Sequence, residues 1–213
     1  MDALGDIVIN DLDLAHRLVS EAADLAVSYF GRENRIRQKS DGTPVGEADL
    51  AVDRLLAAGL SEHRPADGRV SEESGEVEGS SGRRWIIDPI DGTAAFISGG
   101  RHWGTHLALE QDGQIVLGIV SRPVLGQEWW ALQGRGAFRS SISTRSPERD
   151  DRVELSAVST LEGARITGWS IDSVINPILE SAHWFDCEYN DSTAVLEGRA
   201  EVQVVPGHFW DFA

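Results

Sequence analysis

One cysteine, one methionine, one lysine and two tyrosines are all that 213 residues carry of those types. The lone cysteine, Cys187, excludes an internal disulfide and fits a reducing compartment. No apolar stretch reaches the length needed to span a bilayer. The opening MDALGDIVINDLDLAHR holds acids where a secretory leader needs bases, so a cytoplasmic protein is expected. Positive charge is scarce as well: 19 Lys and Arg face 35 Asp and Glu, for a net charge of −16. That excess argues against nucleic acid or membrane as a partner, and its plainest consequence is solubility.

What is present suffices for a globular core. Hydrophobic residues make up 41% of the chain, enough for one large domain or one domain and part of a second. Leu14, Leu18, Leu25 and Tyr29 recur at helical spacing over Asp11–Phe30, and Gly31 supplies a stop. A polar, turn-rich stretch, GRENRIRQKSDGTPVG, suits a loop or short hairpin. A second helix is expected from Glu47 to His63, with Pro65 beyond it. SGEVEGSSGRR reads as an exposed loop. Strand signals then dominate in WIID, THLALE, IVLGIVSRP and EWWALQGRGAF, with an Asp112-Gly113 hairpin turn and a further turn at Gly134-Arg135-Gly136. SSISTRSPERDD reads as a polar loop. Beyond it, short strands near Val153–Leu155, Arg165–Trp169 and Val202–Val205 alternate with helices expected at Val174–Ser181 and Ser192–Leu196. The pattern predicts a layered α/β fold, with an α+β part over residues 1–150 and a smaller α/β part over 151–213.

The chemistry concentrates in WIIDPIDGT, residues 85–93. A buried strand is expected to stop at Pro89, which cannot continue a central ladder. Asp88 and Asp91 then project from its end, where α/β folds commonly place ligands. Gly92 permits a sharp turn, and Thr93 suits the cap of a short helix through Phe96, whose free N–H groups could meet a phosphate. Further acids lie in SEES (71–74), in TPVGEAD (43–49) and at Asp211. Carboxylates sharing one pocket repel by about 4 kcal/mol per close pair at intermediate dielectric, a cost that bound cations reverse. An all-oxygen donor set favours Mg2+, Mn2+ or Ca2+ over zinc. Solvated surface acids beside an Asp-Gly turn remain the alternative reading of these residues taken alone.

In order along the chain, KSDGTPVGEADLAVD (39–53), SEES (71–74), WIIDPIDGT (85–93) and WDFA (210–213) resemble the motifs of the inositol monophosphatase superfamily of Mg2+-dependent, lithium-sensitive phosphatases. GIVSRPVLGQEWWALQGRGAF (118–138) is similar to the histidinol-phosphate phosphatase branch. The resemblance spans nearly the whole chain. It implies an αβαβα sandwich of the sugar-phosphatase type. By matching positions, it implies that Glu72, Asp88 and the Ile90 carbonyl hold one metal, and that Asp88, Asp91 and Asp211 hold a second. Glu72 would also help to hold a looser third ion. Asp49 and Thr93 would orient and deprotonate the attacking water, the Gly92 and Thr93 N–H groups would grip phosphate, and Lys39 would balance charge. Two to three Mg2+ ions, with Mn2+ possible and Li+ inhibition, a small phosphate ester as substrate and a homodimer are the implied cofactors and partners.

Several positions depart from the family pattern. The chain ends two residues after Asp211, where family members continue, so its C-terminal part is expected to be truncated. Ala95 stands where the family usually has Asn, and Val204 stands where an acidic residue often contacts substrate. Asp191 is the alternative contact for the substrate's polar tail. Histidinol phosphate is expected slightly ahead of inositol monophosphate. The alternatives are a nucleotide 3′-phosphatase, a fructose bisphosphatase, or a non-catalytic protein that keeps the pocket as a binding or assembly partner. His102 and His106, four apart in a strand, are not expected to bind zinc. Trp129 and Trp130 are read as packing residues.

Overall fold

Leu4, Ile7 and Val8 continue the three- and four-residue spacing towards the N-terminus, and helix α1 accordingly begins earlier than expected, spanning Ala3–Tyr29. The computed structural model describes residues 3–31, 36–38, 44–142, 150–168, 176–185 and 192–204. Strands β1 (Ile36–Gln38) and β2 (Pro44–Gly46) pair antiparallel, so of the loop and the short hairpin that the sequence allowed, the hairpin forms. Helix α2 spans Glu47–His63, the limits that its flanking signals indicate. Small residues on the inner face of α1 (Ala15, Ala22 and Ala26) lie buried with Leu18 and Val19, in one core with Val52, Leu56 and Leu60 of α2.

The two helices share that core with a sheet built from β3 (Gly68–Ser71), β4 (Gly75–Val77), β5 (Arg83–Asp91), β6 (Gly104–Gln111), β7 (Gln114–Arg122), β8 (Gln127–Leu132) and β9 (Gly136–Ser141). The order is β9-β8-β7-β6-β5-β3-β4, and only β3 and β5 run parallel. Trp85, Ile87, Leu107, Leu109, Leu117 and Ile119 form the buried centre. Alternate residues of neighbouring strands thus meet the helices. Trp129 is buried, while the Trp130 ring stacks on Phe138 and its Nε1 donates to Asp150, so both tryptophans pack as expected.

Three local expectations need correction. The SGEVEG segment is not all loop, because β4 adds a short exposed strand antiparallel to β3. Strand β5 does not end before Pro89 but continues to Asp91. Its pairing with β6 lapses between Asp88 and Asp91, so the missing proline N–H interrupts no ladder bond, and the Thr105 hydroxyl donates to the Pro89 carbonyl at 2.9 Å. Finally, the cap of helix α3 (Thr93–Ile97) is Gly92 rather than Thr93.

The chain divides into two compact units, Met1–Asp150 with Phe209–Ala213, and Asp151–His208. In the second, β11 (Arg165–Gly168) pairs in parallel with β12 (His183–Trp184) and β13 (Val202–Val204), after a short β10 (Asp151–Val153). The Arg165 guanidinium, and after it the Arg165 backbone N–H, donate to Glu201 and hold this carboxyl down at about 2. Helix α4 spans Thr193–Leu196, near its expected place. Over Val174–Ser181 the expected helix appears, among the described residues, only as a 3₁₀ turn at Ile178–Glu180. The mixed α/β class is as expected. Among the described residues no helix is long and apolar enough to cross a membrane.

Asp11 anchors the end of this core away from the Asp88–Thr93 turn. It is 0% exposed and takes Arg64 Nε at 2.6 Å and Arg83 Nη2 at 2.7 Å, tying α1 to the end of α2 and the start of β5. Arg83 also reaches Asp67, which accepts from Trp85 Nε1. Removing one partner of a buried pair strands the other charges. Asp11→Ala is therefore expected to lower stability by about 3–5 kcal/mol in urea denaturation.

Candidate active site

The parallel register of β3 on β5 places Ser71 opposite Ile87, and the Glu72 N–H donates to the Ile87 carbonyl at 3.2 Å. Glu72 therefore leaves its strand beside Asp88. Asp88 is 1% exposed at the point where β5 pairing lapses. Three residues on, Asp91 rejoins the ladder opposite Gly104. The bulge thus separates the two acids of the motif in environment, one fully buried and the other partly open.

Gly92 turns the chain from β5 into α3 with φ 82°, a left-handed backbone, and a Cβ there would lie 2.4 Å from the His102 carbonyl oxygen. With the cap at Gly92, Thr93 enters the helix and its side chain is directed elsewhere. Its hydroxyl lies 3.1 Å from Asp49 Oδ1 and 3.1 Å from the Ile90 carbonyl, two acceptors for one proton. Phe96 of α3 packs edge-on against Trp103 at 4.7 Å, and Phe30 at the end of α1 covers both rings. This aromatic cluster fixes α3.

Asp49 lies in the first turn of α2 and is 1% exposed. Its Oδ2 accepts the Gly46 N–H at 3.0 Å. Burial pushes its carboxyl above the usual 3.8, against the lowering effect of the Gly46 and Thr93 hydrogen bonds, and the charge of Glu72 adds to the rise. One turn along the same buried face, Asp53 accepts from the hydroxyls of Ser71 and Ser74. It thereby holds the turn that presents Glu72. Sequence reading missed Asp53, although its i+4 spacing from Asp49 is a visible signal.

The structure brings Asp49, Thr93 and Ile90 into hydrogen-bond contact and sets Glu72 beside Asp88. It turns Asp91 towards two residues that no sequence signal marked as functional. Arg122 Nη2 lies 3.0 Å from Asp91 Oδ2, and His106 Nε2 lies 3.5 Å from the same oxygen. Lys39, Asp191 and Asp211 lie outside the described residues. Among the described residues no three His, Cys, Asp or Glu side chains are gathered closely enough to enclose an ion. The donor set nevertheless fits a hard divalent cation. It offers only oxygen, and the charge of Glu72 already disfavours ionised Asp49, a cost that a cation removes.

The family model described as the inositol monophosphatase family matches residues 10–213. A Streptomyces griseus protein named glucose-1-phosphate thymidylyltransferase is 44% identical over 211 residues, covering 96% of this chain and 80% of its own. A Mycobacterium tuberculosis histidinol-phosphatase is 36% identical over 216 residues, covering 96% and 82%. Among solved structures, the extragenic suppressor protein suhB from Bartonella henselae superposes with a TM-score of 0.78 at 25% identity, over 96% of this chain and 81% of that one.

The Thr93 hydrogen bond favours ionised Asp49, so Thr93→Val is expected to raise the Asp49 carboxyl further in the metal-free protein, read by carbon NMR titration. The linked stability has a definite sign. Folded Asp49 holds its proton more tightly than the unfolded chain does. Its contribution is therefore present below the ordinary value of 3.8 and is lost as pH rises through the elevated folded value.

Proposed function

The chain belongs to the inositol monophosphatase family and is a phosphoric monoester hydrolase, and from that premise we propose a Mg2+-dependent enzyme for a small polar ester, histidinol phosphate ahead of inositol monophosphate. The family is generally metal-dependent. The observation that carries the reading is the Thr93–Asp49 hydrogen bond at 3.1 Å, beside the strand ends that bear Glu72 and Asp88.

Thr93 carries one hydroxyl proton. When that proton points to Asp49, the Oγ1 lone pairs are free to accept a proton from an attacking water. As the water's proton moves onto Oγ1, the original proton passes to Asp49 Oδ1. A carboxyl raised by burial is a better proton acceptor than a solvated one. The Gly92 and Thr93 N–H groups would bind the phosphoryl oxygens. Glu72, Asp88, the Ile90 carbonyl and Asp91 would hold the cations, with Asp211 completing the set and Lys39 balancing charge. A divalent ion bound there supplies water activation and charge neutralisation, the chief demands of hydrolysing a phosphate monoester.

Histidinol phosphate is placed first because the Mycobacterium tuberculosis relative is named a histidinol-phosphatase and is matched over 82% of its length. The more similar Streptomyces griseus relative motivates a second reading, transfer of a thymidylyl group to glucose 1-phosphate. One panel separates these readings. Phosphate release is followed from histidinol phosphate, inositol 1-phosphate, adenosine 3′,5′-bisphosphate and fructose 1,6-bisphosphate, and pyrophosphate release from dTTP with glucose 1-phosphate. The expected result is release fastest from histidinol phosphate, abolished by EDTA and restored by Mg2+. Asp88→Asn is expected to lower kcat on the order of 10³-fold. Turnover in EDTA, or full activity in Asp88→Asn, would sink the proposal. Pyrophosphate release would show a thymidylyl-transfer activity beside the hydrolysis.

A further inference from the structure

Asp91, Gly104 and Arg122 form one row across three neighbouring strands. Asp91 of β5 pairs with Gly104 of β6, and the β6–β7 register, Thr105 opposite Ser121, carries Gly104 next to Arg122. Residues in such a row point to the same face of the sheet. Asp91 and Arg122 stand two strand spacings apart, about 9.6 Å, beyond the reach of a direct cross-strand pair. They meet because the residue between them has no side chain. A Cβ on Gly104 would lie 3.0 Å from Arg122 Cδ and 2.2 Å from the Ser121 carbonyl oxygen. The Arg122 side chain therefore crosses β6 over Gly104 and delivers Nη2 to within 3.0 Å of Asp91 Oδ2. Arg122 is 2% exposed, whereas the Asp91 side chain is 29% exposed. A guanidinium is costly to bury, and here one of its nitrogens faces an acid that is itself partly open to solvent.

We propose that Arg122 is a positioning residue of the active site, a built-in counter-cation that holds Asp91 and weakens the divalent cation bound through that carboxylate. The inference rests on the metal-dependent phosphatase reading above. Arg122 occupies one oxygen of Asp91, and its positive charge repels a cation placed on the other. It also offsets the mutual repulsion of Asp88, Asp91 and Glu72 when no metal is bound. Cation affinity at this site is thereby lowered and made sensitive to the charge at position 122.

Isothermal calorimetry with Mg2+, paired with thermal unfolding in EDTA and in Mg2+, tests this on the whole chain. Arg122→Met is expected to tighten Mg2+ binding about tenfold, the effect of one unit charge a few ångströms away in a partly hydrated site. It should also lower the metal-free melting temperature and enlarge the Mg2+-induced rise. Arg122→Lys, which keeps the charge, should stay within about twofold of the unaltered protein, a rescue that a purely packing role does not give. Arg122→Gln repeats the comparison should the methionine variant fail to fold. Mg2+ affinity that is unchanged or weaker in the charge-removing variants, with binding intact in the unaltered protein, overturns the inference alone. No Mg2+ binding by the unaltered protein overturns the metal reading and the inference with it.

Discussion

Acids brought to the ends of neighbouring strands are the constraint on which the candidate active site depends. Asp88 is fully enclosed, Glu72 leaves the neighbouring parallel strand beside it, and Asp49 faces the same group from the first turn of α2. No apolar packing compensates such an arrangement. It is tolerated only where hydrogen-bond donors and positive charge are supplied at the same place. The bulge at Pro89, the left-handed Gly92 and the short helix behind it are the backbone devices that keep these acids together and deliver Thr93 to Asp49.

Elsewhere in the first unit buried acids are matched by partners within the chain. Asp11 has two arginines, Asp53 has two serine hydroxyls, and Glu128 accepts the His16 Nδ1 contact at 2.8 Å. These pairs join elements far apart in sequence and hold the helices on the sheet. Asp49 differs from these acids in its acidic neighbour, not in lacking partners, since it accepts from Gly46 and Thr93. Burial and the charge of Glu72 raise the Asp49 carboxyl in spite of the two hydrogen bonds it accepts. Groups perturbed in this way gather where chemistry is done.

Much of this was legible in one dimension. The limits of α2 follow from helical apolar spacing and a proline after His63, local signals that tertiary packing did not override. The β6–β7 hairpin follows from two apolar runs on either side of Asp112-Gly113. The motif acids and Thr93 stood out because their order along the chain resembles that of a known phosphatase family. The continuation of β5 past Pro89 was not legible, because it depends on Thr105 sixteen residues away satisfying the proline carbonyl. The cap at Gly92 was not legible either, since the backbone of His102 is what excludes a side chain there.

Residue types and their spacing by themselves determined the helix–sheet alternation and the presence of acids at the end of the Trp85 strand, because these rest on local propensity and on single side chains. The choice of those acids as candidate ligands came instead from their resemblance in order to a known family. Only the folded chain decided which acid is sealed and which is open, that Asp53 braces the turn bearing Glu72, and that Arg122 reaches Asp91 over Gly104. Those outcomes depend on strand register, and register sets neighbours between residues that no sequence window joins.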